Sequence, residues 1–112
     1  MGADDMHVVM YKILAYLYDC MKRGAEPQQS AIAADSPMIG PIPYRYWCSI
    51  MSQLVNRGLV DGISVAWYDN EQSVIVANPT VTLEGVEFMQ ENSMMRKALG
   101  FLKDAKSTLP FI

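Results

Sequence analysis

From Trp47 to Val55 the apolar residues fall at Trp47, Ile50, Met51, Leu54 and Val55, intervals of three and four that gather them into one stripe along a helix. The positions between them, Arg45, Ser49, Ser52, Gln53 and Asn56, make a polar opposite face, and Gly58 is placed to end the helix in a left-handed conformation. A longer stripe with the same period, Met6, Val9, Met10, Ile13, Leu14, Leu17 and Met21, predicts a first helix. It would run from a cap at Asp4 or Asp5 to about Arg23, closed by Gly24, with Lys22 and Arg23 in the last turn where cations suit the helix dipole. A shorter helix is expected from about Pro27 to Ala34 with Ile32 facing inward. Three prolines and a glycine between Asp35 and Pro43 exclude helix there and most strand pairing, which predicts a loop leading into the Tyr44 helix.

After Gly58 the period changes to two. Leu59 and Val60 open an extended segment in which Ile63, Val65 and Trp67 alternate with Ser64, Ala66 and Tyr68, the pattern of a half-buried strand. Asp69-Asn70-Glu71-Gln72 reads as the turn, Val74-Ile75-Val76 as the returning strand, and Pro79 as its end. Thr82 is a plausible N-cap for a helix from Leu83 to Glu91 with Val86 and Met89 inward. Asn92 and Ser93 then separate it from a last helix, Met94 to about Lys106, whose stripe is Met95, Ala98, Leu99, Leu102 and Ala105. The order helix, helix, glycine, hairpin, helices predicts an α+β fold, a winged helix-turn-helix with additional C-terminal helices. It forms one domain over residues 1–112, with a core at about 4–92 and a helical extension at about 93–107.

Composition narrows the setting. Half of the 112 residues are hydrophobic (51%) and 19% are charged, which makes the chain globular rather than disordered. The two cysteines, Cys20 and Cys48, are too few for a disulfide framework and fall inside predicted helices, so both are expected as buried free thiols in a reducing compartment. No apolar run reaches the roughly 20 residues of a membrane span, and Asp4 and Asp5 stand where a signal peptide carries cations. A cytoplasmic protein without membrane attachment is the expectation.

Catalysis is not expected. The single histidine, His7, has no carboxylate or thiol cluster beside it in sequence and reads as a surface or half-packed imidazole, so no metal site is predicted. Cys48 lacks a neighbouring base, no phosphate-cradling glycine pattern occurs, and Glu84, Glu87 and Glu91 read as a solvated helix face. No cofactor is implied.

Binding is the remaining class, and charge divides it. The helix from Tyr44 to Arg57 carries side chains that can reach base edges and phosphates, so the expectation is a small regulator that binds DNA sequence-specifically through residues 44–57. The alternative is a protein-interaction module without DNA binding. Tyr44, Arg45, Ser49, Ser52, Gln53, Asn56, Arg57 and Tyr68 are the candidate contact residues for DNA or a protein partner. Yet between Gly24 and Met95 the only cations are Arg45 and Arg57, against Glu26, Asp35, Asp61, Asp69, Glu71, Glu84, Glu87 and Glu91. Phosphate contacts supply most non-specific DNA affinity and need cationic donors, and the predicted wing tip offers Asp69 and Glu71 instead. The other cations, Lys12, Lys22 and Arg23 and then Arg96, Lys97, Lys103 and Lys106, read as solvated faces of the outer helices. Trp47 and Trp67 fall on inward faces and are assigned to the core, whereas Tyr44, Tyr46 and Tyr68 are candidates for a contact surface. Met94, Met95, Leu99, Phe101 and Leu102 widen the apolar face of the last helix beyond one packing partner, which predicts a homodimer through the outer helices.

Tyr46-Trp47, the helix end from Leu54 to Gly58, Thr82-Leu83-Glu84-Gly85 and Glu91-Asn92-Ser93-Met94-Met95, in this order and spacing, resemble the YjcQ-like family of small bacterial and prophage proteins. The resemblance covers most of the chain, from the first helix to about Lys106. It implies a winged-helix fold and a mobile-element setting, and no activity or site residue. The Pro-rich loop from Pro37 to Pro43 departs from it and leaves the angle between the second and third predicted helices open.

Overall fold

The computed structural model describes residues 5–91. Its elements are helix α1 (Met6–Arg23), a 3-10 turn (Gln29–Ile32), helix α2 (Tyr44–Asn56), an antiparallel hairpin of β1 (Val60–Tyr68) and β2 (Glu71–Val81), and helix α3 (Leu83–Glu91). The α+β class is that expected, and three helices with a two-stranded antiparallel sheet are compatible with a winged helix. The proposed dimer residues Met94, Met95, Leu99, Phe101 and Leu102 lie outside the described residues, as do Asp4 and the last predicted helix.

Helix α1 is the centre of the fold, touching α2, α3 and β2. It is buried around most of its circumference, so Val8, Tyr11, Ala15 and Tyr16 join the predicted stripe in the core. Lys12, expected on a solvated face, is buried with them. Met21 departs the other way and is 46% exposed. The last turn of α1 overshoots the core there, and the Met21 sulfur accepts a hydrogen bond from the Val81 N–H at 3.3 Å.

The helix expected from Pro27 to Ala34 shrinks to one four-residue 3-10 turn. Its carbonyls are claimed elsewhere: Ile32 O accepts from Trp47 Nε1 at 2.8 Å, and Ala33 O from the Ser36 N–H at 3.0 Å. The proline-rich segment that follows is an ordered loop, with Ser36, Met38 and Ile39 buried and the Ile42 N–H bonded to Ala34 O. In α2 the predicted stripe is buried at Trp47, Ile50, Met51 and Leu54 and half-buried at Val55. The helix closes as expected: the Gly58 N–H (φ 69°) donates to Val55 O, and the Leu59 N–H to Leu54 O.

The hairpin is longer than its hydrophobic pattern suggested. Asp69 and Asn70, both at positive φ, form a two-residue connection, so Glu71 and Gln72 belong to β2 rather than to the turn. At the other end β2 continues past Pro79 to Val81. It can do so because the register breaks between Asp61 and Ile63, and a proline is tolerated where no ladder bond is required. At this irregularity Gly62 (φ 81°) lies against the carbonyls of Ala77 and Asn78, space that a Cβ would occupy. The bulge separates the base of the hairpin, where Val60 pairs with Val81, from a distal arm running to the turn. Bulges bend and twist a strand, which directs this arm.

Thr82 joins the pieces. Its hydroxyl accepts from the Gly85 N–H at 3.1 Å, capping α3, and donates to Gly58 O at 2.6 Å. The Thr82 N–H donates to Leu59 O. The end of α2, the base of the hairpin and the start of α3 are therefore held at one residue. In α3, Phe88 and Met89 are buried, Val86 is half-buried, and Glu84, Glu87 and Glu91 face solvent as expected.

Candidate functional site

The distal arm of the hairpin and the first two turns of α2 form the walls of a cleft of ≈ 520 Å³. On the helix side it is lined by Tyr44, Arg45, Cys48 and Ser49, and on the hairpin side by Trp67, Asn70, Glu71 and Gln72. The hairpin reaches this position because Ile63, Val65 and Trp67 share one face with their cross-strand partners Val76, Val74 and Gln72. Ile63 is buried and Val65, Val74 and Val76 are half-buried on it. Farther out the same face runs beyond the core and meets the polar side of α2. There Gln72 Nε2 donates to Ser52 Oγ at 3.2 Å and ties the two walls together.

Trp67 corrects the sequence expectation. It stands on the predicted face but is 67% exposed rather than in the core. It stands one residue from the end of β1, on the wall of the open cleft. Trp47 by contrast is 7% exposed, its indole N–H satisfied by the Ile32 carbonyl.

Tyr44 stands at the start of α2, 54% exposed, its ring 5.6 Å from that of Trp47. Its hydroxyl is held above the ordinary 10.0, chiefly by the hydrogen bond with the Cys48 thiol and then by partial burial, while a hydrogen bond from the Val74 backbone pulls the other way. The Glu71 carboxylate adds a smaller upward push. Cys48 itself is a buried free thiol, as is Cys20. Ser49 Oγ donates back to Arg45 O at 3.2 Å.

Of the residues proposed from sequence, Tyr44, Arg45 and Ser49 come together in the cleft and Ser52 sits at its edge. Gln53 and Asn56 are exposed farther along α2. Arg57 is drawn away, its guanidinium carbon 5.6 Å from the centre of the Phe88 ring. Tyr68 is exposed on the opposite face of the hairpin, and Tyr46 packs partly against the core. Sequence reasoning missed Trp67, Asn70, Glu71 and Gln72 as cleft residues. The signal was the pair Asp69-Asn70, which can form a two-residue turn by itself and so extends both strands.

The motifs noted in sequence now have structural roles: Thr82 caps α3, and the Leu54-to-Gly58 helix end closes α2. A family model described as YjcQ protein matches residues 11–108. The chain belongs to the YjcQ family. Comparison with curated proteins and with solved structures returns no match. The YjcQ match takes in α1 from Tyr11 onward, α2, the hairpin and α3, and so every residue of the cleft.

Among the described residues no three His, Cys, Asp or Glu side chains are grouped to hold a metal ion, and His7 is exposed on α1. No described helix is long and apolar enough to cross a membrane. Two of the cations read as solvated are engaged: Arg23 Nε meets Asp19 Oδ2 at 2.6 Å, and Lys22 Nζ lies 4.6 Å from the centre of the Tyr18 ring.

Proposed function

We propose that this chain is a winged-helix-type interaction module without catalytic activity, which binds a segment of a protein partner in the cleft between α2 and the hairpin. The observation that carries this reading is Trp67, a tryptophan held two-thirds exposed on the inward side of the hairpin, with Tyr44 across the cleft. Solvent-facing aromatics with a polar tip are enriched at protein interfaces, and the cleft volume falls in the range of about 300–1,000 Å³ typical of ligand sites. Such a space accepts a few residues of extended chain.

Regulation by DNA binding through residues 44–57 has less support. A recognition helix must project into the major groove, which is about 12 Å wide. Here Arg45 and Ser49 line a cleft whose other wall is the hairpin, and Ser52 is bonded to that wall. Arg57 lies over Phe88, and the wing tip carries Asp69 and Glu71. Few phosphate-binding groups remain on α2.

Two measurements on the full chain test the proposal. Binding to random duplex DNA, followed by anisotropy at two salt concentrations, is expected to be weak and nearly independent of Arg45. Tight binding that weakens steeply with salt and is lost in Arg45→Ala would make DNA the ligand, because released counterions leave that dependence. Peptide display against the immobilised chain is expected to enrich sequences that bind the wild type and not Trp67→Ala.

A further inference from the structure

The hairpin has two outer edges, and they differ. Its two-residue turn makes Tyr68 and Glu71 a hydrogen-bonded pair. The pairs alternate from there, so Trp67–Gln72, Val65–Val74 and Ile63–Val76 turn their backbone N–H and C=O groups away from each other, toward the two edges. On β2 this edge is engaged: the Val74 N–H meets the Tyr44 hydroxyl, and Gln29 Nε2 donates to Val76 O at 2.9 Å. On β1 it is open. Among the described residues no strand lies beyond β1, and no hydrogen bond from outside the hairpin reaches Ile63, Val65 or Trp67. Open edges are commonly blunted by a charge, a proline or a covering element, yet Ile63-Ser64-Val65-Ala66-Trp67 carries neither charge nor proline. Trp67 is therefore left with a cross-strand neighbour on one side alone, Gln72.

We infer that the bound segment of a partner protein adds to the hairpin as a third strand along the outer edge of β1, pairing main chain to main chain with Ile63, Val65 and Trp67. The inference rests on the protein-binding reading above and specifies how the segment is held. An added strand satisfies its own amides on this edge and supplies the missing neighbour of Trp67. Ile63, Val65 and Trp67 form an apolar row on one face, so the segment is an extended, proline-free run with apolar or β-branched residues at alternate positions. A second copy of this chain fits less well. Laid antiparallel and centred on Val65, it brings Asp61 opposite Asp69 at both ends, and like charges directly opposite destabilise a pair.

Peptides selected by display on the full chain, and bound by wild type but not by Trp67→Ala, test it. Methylating their backbone nitrogens one at a time is expected to weaken binding by about 2- to 13-fold at alternate positions, one net hydrogen bond each, and to be tolerated between them. Amide hydrogen exchange of the wild-type chain is expected to slow at Val65 and Trp67 when peptide is bound, with little change at Ala66, whose N–H already faces β2. Peptides that need Trp67, tolerate methylation at every position and leave Val65 and Trp67 exchanging as before would overturn this inference and leave the protein-binding reading standing. Selection that ignores Trp67 altogether would overturn both. Slowing in the free chain that grows with its concentration, with a doubled mass by light scattering, would make a second copy the occupant and overturn the inference.

Discussion

Trp47 is the side chain on which the packing of α2 most depends, and it performs two separable tasks. Its ring is 7% exposed within the core, and its Nε1 donates to Ile32 O at 2.8 Å, joining the 3-10 turn to α2. Truncation to alanine removes the packing at a cost of about 3–5 kcal/mol. The orphaned Ile32 carbonyl adds about 1–3 kcal/mol if it stays dry, less if water enters the new cavity. A chain of this size has roughly 5–15 kcal/mol of stability in all, so Trp47→Ala is expected to be largely unfolded or close to it. Trp47→Phe is the more informative variant. It keeps most of the ring volume and deletes the donor, and is expected to cost about 1.5–3 kcal/mol. Urea melts followed by far-ultraviolet circular dichroism measure both, with an unchanged m-value showing that the denatured state is the same. A Phe variant within about 0.5 kcal/mol of wild type, the level of an ordinary surface change, would refute the assignment of a buried, needed hydrogen bond.

Other outcomes are open to simple assays. Gly85→Ala is expected to destabilise by about 1–3 kcal/mol, because the new methyl would press on the Leu59 carbonyl and Val81 Cγ2, while Glu84→Ala next to it is expected to be near neutral in the same melt. Thr82→Val removes both the α3 cap and the bond to Gly58 O, and a loss of about 1–2 kcal/mol is expected; no loss would mean that the cap does not hold in solution. Cys20 and Cys48 are buried free thiols, so both are expected to react with a thiol reagent only after denaturation and without prior reduction, and mass spectrometry showing a bridge between them would contradict this. The hydroxyls of Tyr16, through burial, and Tyr44, through its bond with Cys48, are held above the ordinary 10.0, so the unfolded chain releases these protons first. Their contribution is whole below that value and is lost as the pH rises through the folded values; denaturation midpoints that do not fall in this alkaline window would contradict it.

Local pattern determined much of this molecule. The period of three to four at Trp47, Ile50, Met51 and Leu54 phased α2 correctly, because one face of a helix must be buried and the sequence alone says which. Gly58 and Thr82 marked their boundaries for equally local reasons, a left-handed residue and a side-chain oxygen one turn from free N–H groups. The alternation at Ile63, Val65 and Trp67 likewise assigned a common face. Tertiary structure decided how far each face is covered. Trp67 and Met21 lie on the predicted sides of their elements yet are exposed, since burial depends on where the neighbouring elements end. The 3-10 turn at Gln29–Ile32 is fastened from a distance too, by the Trp47 indole that bonds the Ile32 carbonyl. Beyond the local Asp69-Asn70 turn that lengthened the hairpin, the cleft itself needed two non-local events, the bulge at Gly62 that aimed it and the Gln72–Ser52 bond across the gap. Those contacts join residues far apart along the chain, and periodicity reports only which side of an element faces inward, not what stands opposite.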